Sequence, residues 1–335
     1  MAHTTEDLGP SGAEKFERAK QYLLPNEDAQ LVCQTQNGFL VLSNRRVVLL
    51  KEESQSEYRI EKAIPYDCIL DFESKKSNRY EVSGVALDQY GCHTNETRSY
   101  EVKAPRGERG ENKDDIRNHF QSTMDRCSDV LEEIEEIRSS DAYPPPVRDY
   151  SYLEQMPESL TSNAILDLNT ILRDQPIHDE LVHEAVKFLG NEPFLLEESL
   201  RDGNDEENGV LFAAGKKGYF WIRGKKRGQF ISNVIVVTVE WNHIRCFAHR
   251  WQNETANIEA TYSLTEDGRD STVLCQWNPP KNKNTVQFPW LLQPLNGPWI
   301  LADISYKYSG KPLPASCVTR ANRNQPLLNR QRYYQ

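Results

Sequence analysis

Hydrophobic and polar positions along this chain follow two periods that alternate. From residue 29 to residue 103, short apolar or alternating runs are separated by turn residues about every ten positions. The runs 30–36, 39–43, 47–50, 58–64, 68–72, 80–87 and 99–103 read as seven strands. Gln36-Asn37-Gly38 is a hairpin signal, and Pro65-Tyr66-Asp67 is a break. This spacing predicts an antiparallel barrel or sandwich. From 112 to 138 the period lengthens. Ile116, Phe120, Met124, Cys127, Leu131 and Ile134 recur at helical steps, and Glu132, Glu133, Glu135 and Glu136 take the other face.

The second half repeats this grammar. Pro144-Pro145-Pro146 ends the helix and predicts an extended spacer, followed by connecting helices to about residue 187. Strands resume from 194 to 277. A second closing helix is expected over 287–308, interrupted by Pro289, Pro294 and Pro298, with Trp290, Leu291, Trp299 and Ile300 filling core. The expected organisation is a flexible arm (1–21), a first module (22–140), a Pro-rich and helical linker (141–186), a second module (187–310) and a disordered tail (311–335). The tail carries Lys311, Arg320, Arg323, Arg330 and Arg332 and no acid.

Three segments match between the halves in the same order. Leu24-Pro25-Asn26-Glu27 matches Leu189-Gly190-Asn191-Glu192. The stretch 38–50 aligns without gaps to 209–221, and 64–72 aligns to 239–247, so the offsets grow from 165 to 171 to 175. This is the pattern of a tandem repeat of one β-rich module. The phrase running from Leu24-Pro25-Asn26-Glu27 through Gly38-Phe39-Leu40-Val41-Leu42-Ser43-Asn44-Arg45-Arg46 to Ile64-Pro65-Tyr66 resembles the bacterial and archaeal pleckstrin-homology-like families and the related GRAM domain. The second copy departs from the motif, with Ala-Ala-Gly-Lys-Lys-Gly where a Thr and an Arg are expected. The resemblance implies a mainly β fold with helices: two seven-stranded barrels or sandwiches, each closed by a C-terminal helix. It speaks to fold more than to function, because such modules bind lipids, bind peptides or act as scaffolds.

Composition narrows the function classes. The 335 residues carry a formal charge of −10, so no nucleic-acid partner is expected. The charge is uneven: residues 24–138 hold 16 bases and 23 acids, whereas 186–310 hold 14 of each. Seven scattered cysteines without a Cys-x-x-Cys spacing read as reduced thiols in a cytoplasmic protein. The sequons at Asn95 and Asn253 are then silent. There is no apolar run long enough to span a membrane and no signal-peptide pattern, so any membrane contact is expected to be peripheral, at the inner surface.

The densest charge feature is 216–228, six bases with interleaved aromatics. Arg223, Lys225, Lys226 and Arg227 are the candidate anion- or lipid-binding residues, in a loop after the third strand of the second module. The competing and preferred reading is a solvated hairpin tip, neutralised by the insertion 202–207 with Asp202, Asp205, Glu206 and Glu207. Arg45 and Arg46 are expected to pack and pair within the fold. Cys246 and His249 lie three apart, on opposite faces of a strand, and lack further ligands at matched spacing, so no metal site is expected. No cofactor motif and no catalytic constellation is found. The expectation is a non-catalytic adaptor or scaffold that binds a protein partner, a membrane surface or both, with self-association open; the alternative is a sensor of anionic phospholipid.

Overall fold

The computed structural model describes residue 8 and residues 10–54, 57–66, 69–76, 79–87, 93–106, 112–139, 149–154, 187–188, 195–200, 209–227, 230–250, 257–263, 270–276 and 288–311. The protein combines antiparallel sheets with helices and divides into two compact units. One comprises Met1–Arg148, Lys281–Asn296 and Ser316–Gln335, and the other Asp149–Pro280 and Gly297–Ala315.

The first unit begins with α1 (Pro10–Lys20). Seven strands follow: β1 (Ala29–Thr35), β2 (Gly38–Ser43), β3 (Arg46–Ser54), β4 (Glu57–Pro65), β5 (Ile69–Lys76), β6 (Arg79–Leu87) and β7 (His93–Lys103). Helix α2 (Lys113–Ser139) ends the run. The strands form two antiparallel sheets, ordered β1-β2-β3-β4 and β5-β6-β7. Gly38 is required at the first hairpin: its φ is 150°, and a Cβ there would lie 2.0 Å from the Leu50 carbonyl oxygen. Every residue of β2 is buried, so this central strand is covered on both faces. On one face Phe39 and Val41 pack with Phe16, Ala19 and Leu23 from α1 and the segment after it. The alternate residues Leu40 and Leu42 face the other way and are equally buried. Asn112 caps the start of α2: its Oδ1 accepts from the Asp114 N–H at 3.1 Å. The helix buries Phe120, Met124, Cys127 and Leu131, the face its periodicity marks, and packs along β1.

The second unit contains the single helical turn α3 (Ser151–Glu154) and the strands β8 (Leu195–Leu200), β9 (Gly209–Ala214), β10 (Gly218–Arg227) and β11 (Phe230–Glu240). Strands β12 (Ile244–Arg250), β13 (Asn257–Ser263) and β14 (Asp270–Gln276) follow, and then α4 (Gly297–Ser309). The sheets are ordered β11-β10-β9-β8 and β12-β13-β14. The order of elements therefore occurs twice, at the offsets read from the sequence. β2 and β9 begin at Gly38 and Gly209, 171 apart, and β5 and β12 begin at Ile69 and Ile244, 175 apart. The aromatic after the fourth strand has the same task in both halves. Tyr66 donates its hydroxyl proton to the Ser43 carbonyl, and Trp241 Nε1 donates to the Gly215 carbonyl at 2.8 Å. Each ties down the turn between the second and third strands of its sheet. Among the described residues no strand ladder closes a sheet pair into a barrel.

Four expectations change. Residues 10–20 of the supposed flexible arm form a packed helix, because Phe16 and Ala19 share a face against the sheet. The closing helix of the second half starts only at Gly297. Residues Pro289–Leu292 and Pro294–Asn296 are separate 3₁₀ turns, since Pro294 cannot extend the turn before it. Residues 288–296 belong to the first unit, so Trp290 and Leu291 are buried there, and Trp299 and Ile300 are buried in the second unit. Arg223–Arg227 is not a loop: β10 continues through it, paired with β11. Most of the expected linker 141–186, the tail after Lys311 and the acidic insertion 202–207 lie outside the described residues.

Candidate functional site

An open cleft of about 570 Å³ lies in the first unit, bounded by α1, the β1–β2 hairpin and the first turns of α2. Its apolar lining is the edge of the core itself: Val32 and Phe39, Tyr58 from β4, and Phe120 from α2, with Ile116 beside them. Polar groups stand around it. Lys15, Arg106 and His119 bring cationic or ionisable nitrogen, and Glu52 and Asp115 bring carboxylates. With its side-chain amide turned so that the oxygen faces Arg106, the orientation that satisfies both groups, Gln36 accepts from Nη2 at 3.1 Å and from Nε at 3.2 Å. Its backbone N–H donates to the Lys103 carbonyl at 2.9 Å, which holds the hairpin against the end of β7.

Two lining groups are chemically unusual. The Tyr58 side chain is 3% exposed, and among the described residues its hydroxyl has no hydrogen-bond partner. Burial first, and then the nearby charge of Glu52, push this phenol above its usual range. A buried hydroxyl without a partner is costly, by about 1–3 kcal/mol, and is the kind of group a ligand can satisfy. Cys33 also lines the cleft, but burial pushes its thiol up to about 12. Burial therefore favours its protonated thiol form over the thiolate.

Beside the cleft the same unit holds a buried charge network. Arg46 is 0% exposed and Glu27 is 4% exposed. Their contact is bidentate, Nε to Oε1 and Nη2 to Oε2, both at 2.9 Å. Ser43 Oγ donates to Glu27 Oε1 at 2.8 Å, and the Leu24 N–H donates to Oε2 at 3.1 Å. Burial raises the Glu27 pKa, but the charge and hydrogen bonds of Arg46, with Arg45 and Ser43, outweigh it, so the carboxyl lies below its usual 4.5. Arg45 donates to Asn26 Oδ1 at 3.0 Å. Both arginines thus pack and pair within the fold, as expected from the sequence. Two further donors of Arg46 reach the Leu295 carbonyl and Asn296 Oδ1.

A scan against protein-family models finds none that matches this chain, and a search of curated proteins finds no significant match.

The residues singled out from the sequence are spread over other elements. Arg223, Lys225, Lys226 and Arg227 lie on β10 and pair with Ile235, Ser232, Ile231 and Phe230, with an irregularity between Arg223 and Lys225. The acidic connection leaves β8 at Leu200 and returns at Gly209, level with Gly224. The basic hairpin therefore continues past that point. Lys217, the counterpart of Arg46, is exposed and sits 4.9 Å over the Phe188 ring. Cys246 and His249 are on β12, opposite Thr261 and Ile258 of β13. Among the described residues no three His, Cys, Asp or Glu side chains converge. Sequence reasoning missed the cleft residues altogether. Glu27 was visible only as a motif position, and Asn296 carried no signal.

Proposed function

We propose that the chain is a non-catalytic adaptor built from two pleckstrin-homology-like modules, and that the first binds a segment of a protein partner in the α1–β1–α2 cleft. The observation that carries this reading is the cleft lining: apolar side chains around the buried, unpartnered Tyr58 hydroxyl, with both signs of charge beside them. A protein segment supplies apolar side chains, hydrogen-bonding groups and both charges. A phosphate-rich surface supplies one charge only, and residues 24–138 with 16 bases and 23 acids repel it. The cleft volume falls in the range of about 300–1,000 Å³ usual for ligand sites. The repeated order of a four-stranded sheet, a three-stranded sheet and a helix supports the module assignment.

The test is photo-crosslinking in the native cell from positions Lys15 and His119 in the cleft and Glu133 on the exposed far part of α2. The expected result is one shared set of adducts at 15 and 119 that is absent at 133 and lost with Ile116→Glu. Identical adducts at all three positions, or none at 15 and 119, sinks the reading.

A second reading is favoured by the basic hairpin. Residues 218–239 contain no acid, and β10 places Arg223, Lys225, Lys226 and Arg227 opposite an uncharged strand that carries Phe230 and Ile231 at its end. Cations with apolar residues at a hairpin end suit the surface of an anionic membrane, at about 1 kcal/mol per charge.

A further inference from the structure

We propose that Gln293-Pro294-Leu295-Asn296 is an internal ligand, and that the surface it occupies on the first unit is a recognition site for short peptides presenting a Gln-Pro-Leu-Asn turn. This inference is independent of the cleft reading. The segment is held by reading of its side chains and carbonyls, not by a sheet ladder. Gln293 Oε1 accepts from the Ile60 N–H at 2.8 Å. The Leu295 carbonyl accepts from Arg46 Nη1 at 2.9 Å. Asn296 Oδ1 accepts from Arg46 Nη2 at 2.5 Å. Asn296 Nδ2 donates to the Tyr22 carbonyl at 3.1 Å and to the Trp290 carbonyl at 2.8 Å, the second closing the turn on itself. Leu295 packs against the α1 cluster.

The arginine that reads the segment is held from its own side of the site. Glu27 and Ser43 orient the Arg46 guanidinium, and two of its further donors reach Leu295 and Asn296. The residues that receive the turn lie between 22 and 60, some 250 positions earlier in the chain. Asn is specified at 296 because the pocket offers donors and acceptors together. Aspartate would lose both amide donors and place a second carboxylate beside Glu27. Occupancy in cis benefits from an effective concentration on the order of millimolar, so a peptide in trans enters only when the internal copy is weakened.

The experiment uses the full chain and a fluorescein-labelled peptide of residues 287–297, followed by anisotropy. Gln293→Ala with Asn296→Ala is expected to bind the peptide at least about tenfold more tightly than the unmodified chain does, because its own turn no longer competes. A peptide carrying Asn296→Ala is expected to bind that variant at least about tenfold more weakly. In parallel, hydrogen exchange at the Ile60 amide should accelerate in the variant and slow again with saturating peptide. Should the double variant fail to fold, Asn296→Asp keeps Gln293 and Leu295, and the exchange measurement is made there. The proposal is overturned if the variant binds no peptide, if binding ignores the peptide's asparagine, or if Ile60 exchange is unchanged in both variants.

Discussion

Glu27 and Arg46 show how one buried pair decides the cost of single substitutions. Both have left water, and each is neutralised by the other. Arg46→Met leaves the carboxylate buried and unpaired, which costs about 3–5 kcal/mol; urea unfolding should show it as a lower midpoint. Pairing it with Glu27→Leu should recover most of that loss, since a packed apolar pair often equals a buried ion pair. The pH dependence has a definite sign. The Glu27 carboxyl lies below 4.5 in the folded state, so its stabilisation is complete above that pH. It is lost as the pH falls through the folded value. Acid titration should therefore show a low-pH loss of stability that is absent in the double variant. The Arg46 role was legible as an arginine that packs and pairs. Its partners Gln293, Leu295 and Asn296 were not, because nothing local links them to the turn at 43–46.

At the scale of elements, strands were readable wherever a buried face imposed alternation or a continuous apolar run. β2, with Phe39-Leu40-Val41-Leu42, reads as buried on both sides and is so. The ends of β3 and β10 were not readable. Their last residues are polar and stay extended through backbone pairing, aided on β3 and β4 by exposed pairs such as Arg59–Glu53 at 3.0 Å, each worth little. Helix α1 was underestimated for a related reason. Eleven residues with Gly12 and Pro10 make a poor isolated helix, and its stability comes from packing. Phe16 is 1% exposed and meets Phe39 edge-on, with ring centroids 5.5 Å apart. Phe16→Ala should cost about 3–5 kcal/mol in thermal or urea unfolding. A loss below about 1 kcal/mol would mean that α1 is not part of the folded unit.

For the whole molecule, charge distinguishes the two halves. Residues 24–138 are acidic overall and carry the cleft, whereas the second half is balanced and carries the basic hairpin. Among the described residues no helix is long and apolar enough to cross a membrane. If the hairpin contacts anionic lipid, the full chain should co-sediment with phosphatidylserine vesicles at low salt. Lys225→Glu with Lys226→Glu should then weaken this by at least about 2 kcal/mol, or about thirtyfold. Absence of sedimentation, or equal sedimentation of the variant, removes the membrane reading and leaves the cleft.

What the sequence determined by itself is whatever short-range chemistry enforces. The period-2 runs, the Gly38 turn, the helical stripe of α2 and the repeat offsets of 171 and 175 all depend on residues close in the chain or on matching two copies. What only the tertiary structure decided depends on distant residues meeting. The cleft forms because α1, the first hairpin and α2 converge. Residues 288–296 join the first unit because a buried guanidinium needs acceptors, and Leu295 and Asn296 provide them. Both halves have a turn before their third strand, and its basic residue has opposite fates in the two. Arg46 is buried where Glu27 neutralises it, and Lys217 is exposed over Phe188. A charge enters a protein interior only when a partner is waiting there, and the position of that partner is a property of the fold.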